Sequence, residues 1–423
     1  MSMPSSSSGI PDGLQRRLGV GDAVVVGLGA MIGAGVFSAL APAARAAGSA
    51  LLAGLALAAV IAYCNATSSA RLATRYPVSG GAYVYGRERL GAFWGYIAGW
   101  AFVVGKTASC AAMALTVGVY IWPDHAHAIA VAAVAVLTAV NYVGVHKSAV
   151  ATRAIVAVVL VVLGAVIVVA LTCGTTDTER LHVGADATFT GVLQAAGLLF
   201  FAFAGYARIA TLGEEVRDPA RTIPKAIPIA LGITLALYAA IVIAVLMVLG
   251  PGRLAHTTTP LSDAAAAAGA CWLVPVVRIG AAVAALGSLL ALILGVSRTT
   301  LAMARDRNLP HCLAAVHPRF KVPYRAELAV GATVSVLAAT VDVRGTIGFS
   351  SFGVLTYYAI ANASAWTLTP AEGRPRRFIP VLGLAGCLAL AFALPTASVA
   401  AGTAVLAAGA AAYLVRRAAA HDA

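Results

Sequence analysis

Long apolar stretches separated by short polar segments dominate the pattern of the chain. Stretches without a charged residue cover 23–44, 46–70, 128–145, 154–176, 187–207, 226–252, 279–297, 328–341 and 345–371. The stretch 90–123 is interrupted only by Lys106, and 378–415 is long enough for two helices separated at Pro395. Because a helix needs about 20 apolar residues to cross a bilayer, the pattern predicts about twelve membrane-spanning helices, of which 328–341 is the shortest.

The overall composition excludes most other classes of protein. Of the 423 residues, 61% are hydrophobic and 11% are charged, whereas soluble proteins carry about 25% charged residues. A soluble enzyme of this size could not keep so much apolar surface away from water, and the low charge argues against disorder. The predicted fold class is therefore an all-α polytopic membrane protein. The six cysteines show no paired motif, and we expect free, buried thiols.

The basic residues predict the orientation of the chain in the membrane. With the N-terminus placed inside, 22 of the 29 Lys and Arg residues fall on the cytoplasmic side. Five fall outside: Arg45, Arg180, Arg253, Arg278 and Arg344. This distribution predicts a multi-pass protein of the cytoplasmic membrane with both termini cytoplasmic. It also explains the net charge of +13 as a topology signal, so the lipid bilayer is the expected partner and nucleic acid is not.

Two of the predicted spans carry glycines that favour a break in the helix. The first span, taken from Gly21, contains five glycines, among them Gly33 and Gly35, and the sixth span contains Gly205 near its middle. Unpaired backbone groups are tolerated at membrane depth only where they line a cavity, and interrupted helices in two halves of a chain are typical of transporter binding sites. The alternative is ordinary packing of small residues between membrane helices.

Broken helices expose groups that can bind both charged ends of an amino acid. The half-helix after Gly33 would present free N–H groups and the positive end of its dipole to a carboxylate. Carbonyl groups before a break suit an ammonium group.

Three sequence motifs resemble those of the amino acid–polyamine–organocation (APC) superfamily of permeases. They are GAMIGAGVF in span 1, GGAYVYGRERLG before span 3 and EEVRDPARTIPKAI after span 6. The resemblance implies an inverted five-plus-five repeat with helices 1 and 6 broken. The expected units are a cytoplasmic tail at 1–20, repeat 1 at 21–173, repeat 2 at 187–371, helices 11 and 12 at 378–415, and a cytoplasmic tail at 416–423.

The same resemblance implies a substrate site at the two breaks. The carboxylate would meet Gly33, Ala34 and Gly35, and the amino group would meet carbonyls around Met31 and Ile32. From span 6, the site would include Phe201, Ala202, Phe203, Ala204 and Gly205. In this family an aromatic residue just before the second break often gates the substrate site, and Phe201 or Phe203 would hold that place. Some members carry a lysine in span 5, but Val159 occupies the aligned place here.

Two cationic side chains are predicted to lie at membrane depth. Lys106 would sit about 13 positions into span 3, roughly 20 Å along the helix. We hypothesise that it is the titratable coupling residue, with a structural bond to backbone carbonyls as the alternative. Arg208 lies seven residues before Glu215, and a structural ion pair between them is favoured over a proton-carrying role. None of the acidic residues falls in the middle of a predicted span.

These observations predict a secondary active transporter of amino acids that works by alternating access. Two cations near the midplane favour a neutral amino acid, and proton coupling is expected. An exchanger or exporter of the same fold is the alternative. A membrane-embedded enzyme or a channel would be a different class, but the sequence shows no catalytic constellation. No cofactor and no metal site are predicted.

Overall fold

The computed structural model describes residues 18–77, 80–144, 149–173, 176–184, 186–210 and 216–421. Within these ranges the chain is helical apart from its connections. The helices are α1 (Val20–Met31), α2 (Ala34–Ser38), α3 (Leu40–Ala47), α4 (Leu51–Arg75), α5 (Ala82–Leu90), α6 (Ala92–Ile121), α7 (Ala126–Tyr142), α8 (Ala149–Thr172), α9 (Phe189–Phe203), α10 (Ala207–Ala210), α11 (Pro219–His256), α12 (Pro260–Ala267), α13 (Leu273–Arg305), α14 (Tyr324–Thr340), α15 (Val343–Trp366), α16 (Phe378–Ala393) and α17 (Thr396–His421).

The helices follow the predicted spans in order, which confirms the polytopic all-α fold. In the part of the chain that the structure describes, nine helical segments are long and apolar enough to cross a membrane. Spans 9, 10 and 11 correspond to α14, α15 and α16. The first and last of these are short, with 17 and 16 residues, and α15 buries several polar side chains. The predicted tail at 1–20 lies almost wholly outside the described ranges.

One end of the bundle is held by ion pairs among residues predicted to be cytoplasmic. Arg87 Nη1 lies 3.0 Å from Asp306 Oδ2, which joins α5 to the end of α13. Glu372, in the connection before α16, pairs with Arg89 and lies 3.4 Å from Arg75 Nε. Hydrogen bonds from the Thr369 backbone and from Arg89 lower the pKa of Glu372 to about 2, so this carboxylate is ionised at neutral pH.

The opposite end is held by the arginines that were predicted to lie outside. Arg45 Nε donates to Ala255 O at 3.1 Å, and Arg278 Nε donates to Tyr120 O at 2.7 Å. Arg180 Nη1 donates to Met247 O at 3.2 Å. Ala255 O and Tyr120 O lie at helix C-termini, and Met247 O lies just before the kink of α11 at Gly250, so each guanidinium group meets carbonyls where a helix ends or is interrupted. The two predicted sets of basic residues therefore lie at opposite ends of the bundle.

Helix α6 occupies the centre of the bundle and packs on α13 and α15. A Cβ added to Gly353 of α15 would lie 2.9 Å from the Cα of Gly105 on α6. Contact this close requires glycine at position 353 and leaves little room for a side chain at Gly105, as is typical of membrane helix pairs. The prediction of buried thiols is wrong for half of the cysteines, because Cys173, Cys271 and Cys312 lie at helix ends and are exposed.

The exposed cysteines provide a test of the predicted orientation. Cys173 and Cys271 lie at the end that holds Arg180 and Arg278, whereas Cys312 lies at the end that holds Asp306. We expect a membrane-impermeant maleimide to label Cys173 and Cys271 in intact right-side-out vesicles, using single-cysteine variants. Cys312 should react only after permeabilisation. The reverse pattern would show that both termini lie outside.

Candidate functional site

The first span is broken between α1 and α2, as the glycine pattern predicted. Helix α1 ends at Met31, Ile32 leaves the helical path, and Gly33 precedes α2 with φ −72° and ψ −132°. Beyond the break, Ala39 N donates to Gly35 O at 2.9 Å, so α2 continues towards α3 with only a bend. The first N–H groups of α2 and the last carbonyls of α1 consequently face each other across the break without intrahelical partners.

The sixth span is broken at the predicted position as well. Helix α9 ends at Phe203, and Ala204–Tyr206 form a single 3-10 turn before α10. The Ala204 N–H donates to Phe200 O and closes the end of α9. The carbonyls of Phe201, Ala202 and Phe203 are left beyond the last helical hydrogen bond of α9.

The two breaks lie in direct contact, and glycine makes this contact possible. A Cβ added to Gly205 would lie 2.3 Å from Ala30 O and 2.6 Å from Met31 N. A Cβ added to Gly35 would lie 2.6 Å from the Cα of Ala202. Real Cβ atoms do not approach backbone this closely, so any larger residue would push the two chains apart. The residues predicted for the substrate site are therefore brought together at one place.

Side chains from two other spans bond to carbonyls at the breaks. Tyr238 Oη of α11 donates to Met31 O at 2.6 Å and lies 3.3 Å from Ala202 O, so it joins the two breaks. Ser288 Oγ of α13 donates to Gly29 O at 3.0 Å. The sequence did not identify Tyr238, because a tyrosine within an apolar span gives no sign of which backbone its hydroxyl will reach.

The residues at the breaks are closed off from solvent. Ala34 and Phe203 have no exposed surface, and Phe201 is 8% exposed. The Phe203 ring packs on Tyr238 with centroids 5.3 Å apart, which fixes it against the same side chain that links the breaks. Phe201 is therefore the less constrained of the two aromatic candidates.

Lys106 lies in the middle of α6 and reaches the second break. Its side chain is 7% exposed, and Nζ lies 3.5 Å from Ala204 O. Val159, at the aligned place of the span-5 lysine, is buried in α8. Arg208 lies in α10 and is half-buried, while Glu215 lies outside the described residues, so the predicted pair between them stays a prediction.

The known proteins that this chain resembles are named as transporters or permeases. An uncharacterized transporter of Mycobacterium tuberculosis is 74% identical over 417 residues, covering 99% of this chain and 95% of the relative. The branched-chain amino acid permease of Bacillus subtilis is 26% identical over 415 residues, covering 89% and 88%. The vacuolar cationic amino acid transporter 2 of Arabidopsis thaliana is 30% identical over 394 residues, covering 86% and 61%.

The sequence profile of the amino acid permease family matches residues 18–415, which include both breaks and all the described spans up to α17. Together with the broken helices and their contact at Gly205, this match shows that the chain is a membrane transporter and belongs to the amino acid permease family.

Proposed function

We propose that this permease moves neutral amino acids by alternating access, with the substrate held where the two broken helices meet. The observation that carries the proposal is the contact of the two breaks, in which Gly35 of the first span lies against Ala202 of the sixth span and Gly205 lies against Ala30 and Met31. The substrate carboxylate binds the N–H groups of Gly33, Ala34 and Gly35. The ammonium group binds carbonyls of Ile32 and of Phe201 to Phe203.

Burial of the breaks supports alternating access. Since Ile32 and Ala204 are each 3% exposed, a substrate cannot reach them from either end without movement of the surrounding helices. Phe201 serves as the aromatic gate, because Phe203 is held against Tyr238.

The charges around the breaks support a neutral substrate. Lys106 contacts the second break directly, and Arg208 lies within one helical turn after Gly205 of that break. A substrate with a cationic side chain would be repelled by both groups at a site from which water is excluded. The relatives' names include both branched-chain and cationic amino acids, so this argument depends on the charges of this chain.

The proposed function can be tested by uptake of a labelled amino acid panel into proteoliposomes. We expect saturable uptake and counterflow of one class of neutral amino acids, with accumulation when an inward proton gradient is imposed. Lysine or arginine as the best substrate would contradict the proposal of a neutral substrate. Uptake only into preloaded vesicles, with no response to pH, would favour the exchanger.

A second test concerns coupling through Lys106. Substitution Lys106→Met keeps the apolar stem and removes the ammonium group. We expect proton-driven accumulation to be lost while substrate exchange persists, and Lys225→Met, at an exposed position of α11, should behave as wild type. If accumulation in Lys106→Met still depends on pH, then Lys106 has only the structural role.

A third test concerns the link between the breaks. Tyr238→Phe removes hydrogen bonds to Met31 O and Ala202 O without changing the ring. Losing a hydrogen bond worth about 0.5–1.5 kcal/mol should raise KM about 2- to 13-fold. Tyr63→Phe, at an exposed tyrosine of α4, is the matched control. An unchanged KM would show that the position of the breaks does not depend on Tyr238.

A further inference from the structure

A second ionisable side chain lies inside the helix bundle, away from the breaks. Glu327 stands in the first turn of α14 and has 0% of its surface exposed. Neither carboxylate oxygen has a hydrogen-bond partner among the described residues. In the part of the chain that the structure describes, Glu327 and Lys106 are the buried residues with ionisable Asp, Glu, Lys or Arg side chains.

The contact between α14 and α7 explains why water is excluded around Glu327. Gly331 lies one turn further along the same face of α14. A Cβ added at Gly331 would lie 2.6 Å from Thr138 Oγ1 of α7, so the two helices approach very closely. Thr138 is itself buried, and its hydroxyl has no hydrogen-bond partner among the described residues. Among the described residues, this interface therefore shows a buried hydroxyl on α7 but no ion pair to Glu327.

The charged and titratable groups nearby do not neutralise Glu327. Helix α14 packs against α6, α7, α13 and the 3-10 turn His311–Ala314. The charged and titratable groups at this end of those elements are Tyr96 on α6, Tyr142 on α7, Arg298 and Arg305 on α13, and His311 and Cys312 in the turn. His317, Arg319 and Lys321 stand in the connection before α14, and Tyr324 and Arg325 stand on α14 itself. Arg298 is the group whose charge acts on Glu327, but its side chain is exposed and the two form no ion pair in the described structure.

An ionised carboxylate without a partner is strongly disfavoured in such an interior, whereas the neutral acid is tolerated. We propose that Glu327 is a proton-binding site, protonated while α14 is packed against α7 and α13, and that it releases its proton when this end of the three helices opens to water. Closing the interface again takes up a proton from the same side.

Protonation and packing are then linked thermodynamically. At a pH that ionises an exposed glutamate but leaves the buried acid protonated, the closed form binds one proton more than the open form. For one proton, the closing equilibrium becomes less favourable by at most about tenfold for each unit rise in pH. The equilibrium between closed and open forms of a transporter is thereby tied to the pH on the predicted cytoplasmic side.

The first experiment detects the proton itself. Infrared difference spectra of the purified full-length protein in lipid nanodiscs should show a carboxylic acid band at neutral pH, where an exposed glutamate is ionised. The band should be absent in Glu327→Gln and present in Glu88→Gln, which alters an exposed carboxylate of α5. Glu327→Asp keeps a carboxyl group and should keep a shifted band. A band unchanged in Glu327→Gln would overturn the proposal.

The second experiment measures the link to transport and rests on the proposed function. Exchange of a neutral amino acid should depend on the pH of the cytoplasmic side in wild type and in Glu88→Gln. In Glu327→Gln, which mimics the protonated acid, that dependence should be flattened while exchange continues. Retention of the wild-type pH profile would contradict the link.

The two readouts separate the possible failures. If wild type exchanges no amino acid, the proposed function fails, but the infrared band still decides whether Glu327 holds a proton. Lys106→Met distinguishes the two buried ionisable groups, because it should leave the Glu327 band unchanged.

Discussion

The need to satisfy backbone groups inside a bilayer governs the centre of this molecule. Interrupting a helix at membrane depth frees N–H and carbonyl groups that lipid cannot solvate. This chain interrupts two helices and places the interruptions against each other, with Gly205 lying directly on the backbone of Ala30 and Met31. Tyr238, Ser288 and Lys106 then supply donors from three further helices. The permease fold is in this sense a protein environment that replaces water around two short stretches of free backbone.

The positions of the breaks could be predicted from the sequence because the cause is local. Glycine lowers helix stability wherever it occurs, and Gly33 and Gly205 lie in the middle of spans where no loop is expected. The distribution of arginines was equally informative, because many of them lie near helix ends. The predicted sides of the arginines agree with the contacts at both ends of the bundle, such as Arg87 with Asp306 and Arg45 with Ala255.

The unpredicted features depend on packing between distant parts of the chain. Nothing near Tyr238 in the sequence indicates that its hydroxyl reaches carbonyls more than 200 residues away at Met31. Glu327 fell at the edge of the short stretch 328–341, but α14 begins at Tyr324, so the carboxyl group is carried into the bundle. The exposed cysteines were misjudged for a related reason, because an apolar neighbourhood does not show where a helix ends.

The single hydroxyl of Tyr238 has a consequence for the contact between the two broken helices. One hydrogen atom is shared between two carbonyl oxygens, at 2.6 Å and 3.3 Å, so the more distant one, on Ala202, is only partly satisfied. The Met31 carbonyl is therefore held more firmly than the Ala202 carbonyl. In the proposed function, the substrate ammonium group adds a donor for Ala202 O, so its binding stabilises the contact between the breaks by the same free energy with which the breaks hold the substrate. In that proposal, substrate binding and the rigidity of the contact between the breaks are linked in one equilibrium.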